Sequence, residues 1–150
     1  MTRLSGIAVR VEAAAPSTHV APDGGLGGGV AAVLAELAGL LERLATTGGA
    51  SAIDLRSLPM SPDDRAALQR ILGTGEVRAT LNAEGESSVC ETGVPGVWWI
   101  EHRDRDGKLI AELVEVTRVP DILARAPDEI AAGARELRVR IRATPQRAGH

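Results

Sequence analysis

At 150 residues, with 44% hydrophobic and 25% charged side chains, the chain has the size and composition of one ordinary folded domain, which excludes wholesale disorder. Its formal net charge of −3 gives no bulk electrostatic case for nucleic acid or an anionic membrane. A single cysteine, Cys90, excludes an intramolecular disulfide and a cysteine-built metal cage, and a lone thiol fits a reducing cytoplasm.

Ile7, Val9 and Val11 alternate with Ala8, Arg10 and Glu12, the pattern of a short strand. Residues 13 to 29 are rich in Ala, Pro and Gly, so residues 1–29 read as a short strand followed by a Gly/Pro-rich lead-in. The glycines ending at Gly29 invite a phosphate-loop reading, but no Gly-Lys-Ser/Thr follows. The spacing Gly25, Gly27, Val30 also lacks the third glycine of a dinucleotide fingerprint. No cofactor is expected.

Val30, Val33, Leu34, Leu37, Leu40, Leu41 and Leu44 recur at three- and four-residue steps, predicting an amphipathic helix that Gly48 and Gly49 terminate. Its leucine-rich stripe suits packing on the domain's own sheet, or a seam with a partner helix or a second copy. Glu36, Glu42 and Arg43 interrupt it, so no membrane insertion is expected. The first six residues lack a signal-peptide core, and the expected location is cytoplasmic.

Ser51 to Leu58 predicts a strand with Ile53 and Leu55 on one face. Ser61-Pro62-Asp63-Asp64 starts a helix with a capping box, its buried face formed by Ala67, Leu68, Ile71 and Leu72 before Gly73. Val77 to Asn82, Ser87 to Thr92, Val97 to Arg103 and Lys108 to Thr117 then read as four consecutive strands of an antiparallel meander. A short helical turn spans Asp121 to Arg125. A last helix begins at Pro127, with Asp128 and Glu129 in its first turn and Ile130, Ala134, Leu137 and Ile141 as its apolar face. The sequence therefore predicts an α+β fold: an antiparallel β-meander sheet with about three helices packed mainly on one face, a single domain over 30–144, and a mobile tail at 145–150.

No constellation for catalysis stands out. His19, His102 and His150 lie far apart and never at metal-ligand spacing, so no metal is expected. Cys90 with His102 could imitate a thiol–base dyad across neighbouring strands, although a strand cysteine is more often a small buried hydrophobe. Glu84, Glu86 and Glu91, or Glu112 and Glu115, could supply paired carboxylates, although charges on meander strands usually form the solvated face. Arg135, Arg138, Arg140, Arg142 and Arg147 suit the C-terminal end of the last helix, where cations complement the helix dipole. Without stacking aromatics in a basic domain, they do not indicate nucleic-acid binding.

The most informative stretch is Glu91-Thr92-Gly93-Val94-Pro95-Gly96-Val97-Trp98-Trp99-Ile100-Glu101-His102, which holds both tryptophans of a chain without Phe or Tyr. On a strand, Trp98, Ile100 and His102 face one way and Trp99, Glu101 and Arg103 the other. Trp98 shares its face with Ile100 and is expected in the core. Trp99 lies beside Glu101 and Arg103 and is expected on the solvent side, where a Trp next to an Arg suits a binding hot spot. Pro95-Gly96 is expected to set the turn that aims this strand.

These residues resemble the hydrogenase expression/formation proteins of the HupH/HyaF/HoxQ type, from about Leu26 to Leu123. The resemblance rests on Leu34-Ala35-Glu36-Leu37, on Ile53 to Ser61 (Ile-Asp-Leu-Arg-Ser-Leu-Pro-Met-Ser), and on Leu72-Gly73-Thr74-Gly75-Glu76-Val77. It continues through Glu91 to Trp98 with His102, then Glu115-Val116 and Val119-Pro120. Cys90 stands where the family pattern has a polar residue such as Gln, and Trp99 where it varies. The resemblance implies a non-enzymatic accessory or chaperone protein in nickel–iron hydrogenase maturation. Its implied partners are the iron–sulfur small-subunit precursor and other hydrogenase accessory proteins. Larger members carry two copies of the region and this chain one, which leaves a homodimer open. The motif positions carried over as partner-binding are Glu91, Thr92, Pro95, Gly96, Trp98 and His102, with Trp99 added from its expected exposure. The alternatives are a small thiol-dependent enzyme using Cys90 and a generic dimeric interaction scaffold.

Overall fold

The computed structural model describes residues 8–13 (backbone only), 26–147 and 149. The Gly/Pro-rich lead-in between 14 and 25, with His19, and residues 148 and 150 of the tail lie outside the described residues. The chain divides into two compact units, Met1–Arg118 and Val119–His150.

In the first unit, β1 (Ala8–Ala13) is followed by α1 (Gly28–Thr47), β2 (Ser51–Asp54) and α2 (Pro62–Leu72). Then come β3 (Val77–Asn82), β4 (Glu86–Glu91), β5 (Val97–Arg103) and β6 (Leu109–Val116). The sheet order is β1-β3-β4-β5-β6-β2, and every neighbouring pair is antiparallel. The expected meander is its centre, with β1 and β2 added at the two edges. The fold is α+β, with three helices and an antiparallel sheet.

Local chemistry explains the boundaries. Ser61 Oγ accepts from Asp64 N–H at 3.1 Å and Asp64 Oδ2 from Ser61 N–H at 3.0 Å, the reciprocal cap the sequence predicts for α2. The expected strand to Leu58 stops at Asp54 instead. The Asp54 carboxylate accepts from Arg56 N–H at 2.9 Å and folds residues 55–57 into a 3₁₀ turn. Between β5 and β6, Asp104 Oδ1 accepts from the N–H groups of Asp106 and Lys108, both at 2.9 Å, closing the hairpin with an Asx turn.

One face of the sheet carries Val97, Trp99, Val114, Val116 and Ile53, packed against Val30, Val33 and Leu37 of α1 and Leu68 and Leu72 of α2. Leu34, Leu40, Leu41 and Leu44 pack around this cluster, so the α1 stripe is used within its own unit rather than as a free seam. Each such side chain contributes roughly 1.5–3 kcal/mol by leaving water. Ile71, expected with them, is 42% exposed: it lies one position beyond the stripe that Leu68 and Leu72 aim at the sheet. The opposite face buries Ala79, Leu81, Val89, Trp98 and Ile100.

The expected solvent-facing placement of Trp99 is overturned. Trp98 and Trp99 are each 6% exposed, within a run of four buried residues from Val97 to Ile100. A central strand covered on both faces loses the apolar–polar alternation on which the assignment rested. Trp99 belongs to the core beneath α1 and α2, and Trp98 to the other face.

The second unit contains a 3₁₀ turn at Asp121–Leu123 and α3 (Pro127–Ala143). Glu129 Oε2 accepts from Ala126 N–H at 3.0 Å at its start. The predicted apolar face is present, but α3 holds no buried residue.

Removing the Trp99 indole therefore opens a core cavity. Trp99→Ala is expected to cost about 3–5 kcal/mol in equilibrium denaturation, comparable to Trp98→Ala; a loss below about 1 kcal/mol would restore the surface assignment.

Candidate functional site

The segment between β4 and β5 is held by its own turn and by the exit of α2. Thr92 is 4% exposed. Its N–H and its hydroxyl both donate to Val97 O, at 3.0 and 2.9 Å, and its hydroxyl accepts from Val94 N–H at 3.2 Å. Val97 N–H donates to Val94 O at 3.1 Å across Pro95 and Gly96, and Gly96 has φ 88°. Proline second and a left-handed residue third make a type II turn, which favours glycine there. A Cβ on Gly96 would also stand 3.1 Å from Leu41 Cδ2, so the turn lies close on α1. Thr117 locks it to the end of β6: its N–H donates to Gly96 O at 2.9 Å, and its carbonyl accepts from Trp98 Nε1 at 3.1 Å.

The chain leaving α2 is stitched to the same segment. Gly93 N–H donates to Leu72 O at 2.9 Å, and Gly75 N–H to Glu91 O at 2.8 Å. Glu91 Oε2 accepts from the N–H groups of Glu76 and Val77 at 3.2 and 3.3 Å. Two N–H donors on one carboxylate are charge-assisted, each worth about 1.5–3 kcal/mol net when well formed. The approach is so close that a Cβ on Gly75 would meet Thr92 O at 2.5 Å, backbone that cannot move aside. Leu72-Gly73-Thr74-Gly75-Glu76-Val77 and Glu91-Thr92-Gly93 thus form one brace.

Beside the brace lies a groove of about 490 Å³, within the range of ligand pockets. Its wall includes Gln69, Leu72, Gly73 and Thr74. Its floor is the helix-side face of β3, β4 and β5 beyond the cover of the helices. Strand register places Arg78, Cys90 and Trp99 in one cross-strand row and Thr80, Ser88 and Glu101 in the next. The floor is therefore mixed: one guanidinium, two hydroxyls, a half-buried thiol and the carboxylates of Glu86 and Glu101 around the edge of an indole. Trp99 Nε1 is buried with no hydrogen-bond partner among the described residues, a cost of about 1–3 kcal/mol.

Further along the same face, Glu101 stands opposite Glu112 in register. Arg103 Nη2 lies 3.0 Å from Glu101 Oε2. Arg65 Nε lies 3.3 Å from Glu112 Oε1, close but not aligned for a hydrogen bond. Glu112 is only 5% exposed. Burial raises its pKa, the attraction of Arg65 opposes this, and the Glu101 charge adds to the rise; burial wins.

Residues 29–144 match the family described as HupH hydrogenase expression protein, C-terminal conserved region. The chain belongs to that family. It is 34% identical over 125 residues to the hydrogenase expression/formation protein HoxQ of Azotobacter vinelandii, covering 82% of this chain and 44% of that protein. It is 31% identical over 85 residues to the hydrogenase-1 operon protein HyaF of Escherichia coli K12, covering 57% and 30%. A solved structure described as hydrogenase expression protein HupH from Thiobacillus denitrificans superposes with TM-score 0.75 at 38% identity, over 78% of this chain and 98% of that one. The chain spans less than half the length of these curated relatives. They are named as expression, formation or operon proteins, not as enzymes.

The structure brings two of the stretches that carry the family resemblance, residues 72–77 and 91–98, into contact. Glu91 and Thr92 spend their side chains on backbone groups, Pro95 and Gly96 make the turn, and Trp98 is buried. His102 projects from the other face, where its Nδ1 lies 2.7 Å from Ser87 Oγ. Register puts Cys90 opposite Trp99 and His102 opposite Ser87, on different faces of the sheet, so the suggested thiol–base dyad does not form. Glu112 and Glu115 are three residues apart on one strand and also point to opposite faces. Among the described residues no group of three or more His, Cys, Asp or Glu could hold a metal ion. Nor is any helix among them long and apolar enough to cross a membrane.

Sequence reasoning missed Arg78, Thr80, Ser88 and Glu101 as neighbours in a groove, because alternate polar residues on strands read as an ordinary wet face. The two-glycine spacing of Gly73 and Gly75 was the available signal, since it marks close backbone approach.

Glu112 makes a pH prediction with a definite sign. A carboxyl whose pKa is raised on folding binds its proton more tightly in the folded state, so its stabilising contribution is present at low pH. That contribution fades as pH rises from the ordinary glutamate range through the folded value. The stability of the wild type relative to Glu112→Gln should therefore fall between acidic and neutral pH; paired denaturation curves showing it rise would contradict the burial argument.

Proposed function

We propose that this chain is a non-enzymatic accessory protein in nickel–iron hydrogenase maturation, and that its partner is the iron–sulfur small-subunit precursor or a fellow accessory protein. Membership in the HupH family supplies the hydrogenase context. The observation that supports the binding role is the convergence of two stretches that carry the family resemblance, residues 72–77 and 91–98, beside one groove. Glu91, Thr92, Pro95, Gly96, Trp98 and Trp99 serve binding indirectly, by fixing the wall and floor. The groove itself meets the partner, with Arg78, Thr80, Ser88 and Glu101 offering donors and acceptors to a segment of polypeptide. His102 lies outside this surface.

The test is co-expression with a tagged small-subunit precursor. Wild type should co-purify, and Ser88→Trp, which fills the groove from its floor, should lose at least about tenfold in capture while keeping a cooperative melt, since one misfitted contact costs upwards of 1.4 kcal/mol. Equal capture by the filled variant would remove the groove from the proposal.

A further inference from the structure

The groove has a polarity of its own, and every residue lining it belongs to the first unit. Glu86, Ser88 and Cys90 are alternate residues of β4 and run along the floor. Register sets Arg78 beside Cys90 and Thr80 beside Ser88, with Asn82 beside Glu86. Arg78 and Glu86 therefore mark opposite ends of the floor, about 13 Å apart at a strand rise of about 3.3 Å per residue. The other charges of the groove are already engaged. Glu91 Oε2 accepts from two backbone N–H groups, and Glu101 Oε2 lies 3.0 Å from Arg103 Nη2. Arg103 stands opposite Glu86 in register, but its guanidinium goes to Glu101 and to Gly107 O, the latter at 3.2 Å. Among the described residues neither Arg78 nor Glu86 has an ion-pair partner, and both are exposed. Glu12 of β1 stands opposite Arg78 in register, and an exposed cross-strand charge of that kind is too weak to exclude a ligand.

We infer, resting on the groove as the partner's site, that its occupant is an extended polypeptide segment with a carboxylate and a cationic side chain four residues apart, the carboxylate on Arg78 and the cation on Glu86. The spacing selects this class. Opposite charges about 13 Å apart lie beyond the reach of an amino acid or another small zwitterion. In an extended chain, side chains at i, i+2 and i+4 point the same way and repeat at the same rise as the floor. The middle one then falls on Thr80 and Ser88, whose hydroxyls can donate to it and accept from it. Glu86 and Glu101 on the floor repel the phosphates of a nucleic acid.

β4 lies between β3 and β5, so its backbone is paired on both sides and offers no free edge to the segment. Recognition falls to side chains, and either chain direction satisfies the pattern. Each contact is an exposed ion pair, weak by itself, so the pattern sets preference among segments more than it sets affinity.

The test titrates the full chain with acetylated, amidated pentapeptides and follows the amide chemical shifts of Thr80, Ser88 and Cys90. Asp-Ala-Ser-Ala-Arg should bind at least about threefold more tightly than Asp-Ala-Ser-Ala-Asp or Arg-Ala-Ser-Ala-Arg, because each of these turns one ion pair into a repulsion. Arg78→Glu should move the preference to Arg-Ala-Ser-Ala-Arg, and Glu86→Arg should move it to Asp-Ala-Ser-Ala-Asp. The two substitutions together should restore the preference for opposite charges. Near-ultraviolet circular dichroism of Trp98 and Trp99 confirms that each variant is folded. The inference is overturned by equal binding of the three peptides, by preferences that the charge variants leave unchanged, or by no shift at any of these amides at about 10 mM peptide. Where Ser88→Trp still loses capture of the tagged precursor, such a result removes only the charge pattern and the groove stays the partner's site. Undiminished capture by Ser88→Trp removes the groove, and this inference with it.

Discussion

The architecture of the first unit depends on one point of contact, where the chain leaving α2 meets the end of β4. Glu91 gives its backbone carbonyl to Gly75 and its carboxylate to Glu76 and Val77, and Gly93 returns a bond to Leu72. These bonds fix where α2 ends relative to the sheet, and so where Leu68 and Leu72 press on Trp99. They also set the start of β3 against β4 and leave the groove open beside them. Other features of the region are consequences: the close backbone passage that admits only a glycine at 75, the buried threonine, and the type II turn that hands the chain to β5.

This arrangement explains why the family's specific residues need not touch a partner. A carboxylate occupied by two amides and a hydroxyl shared within its own turn are parts of a frame. What the frame presents is a mixed surface of Arg78, Thr80, Ser88, Cys90 and Glu101 around the edge of a buried indole. Such a surface suits a polypeptide segment, which brings both donors and acceptors. The thiol of Cys90 lies in that groove without a histidine base beside it, since His102 belongs to the other face.

Much of this fold was legible in the chain. Alternation in β3 to β6, the stripe of α1, and the caps of α2 and α3 are local signals, and local signals are what periodicity reports. Failures arose where the deciding contact was distant. Glu101 and Arg103 share a face with Trp99 and mark it as polar, but two residues earlier that face runs beneath α1 and α2. Part of the Trp99 ring borders the groove, while its Nε1 stays buried. Glu91 gave no sign that its partners lay 14 and 15 residues upstream. Ile71 looked like a core residue because apolar identity marks capacity for burial, not direction. The groove was illegible for the same reason: its residues come from three strands and a helix end, and only register brings them together.

The central claim is that Glu91 acts as an internal brace, and amide hydrogen exchange in Glu91→Ala tests it most directly. The account predicts that the amides of Glu76 and Val77 lose about tenfold or more in protection, the equivalent of one charge-assisted bond, while the core amides of β5 change far less. Unchanged protection at Glu76 and Val77 would contradict it, and would return Glu91 to the role of a surface contact.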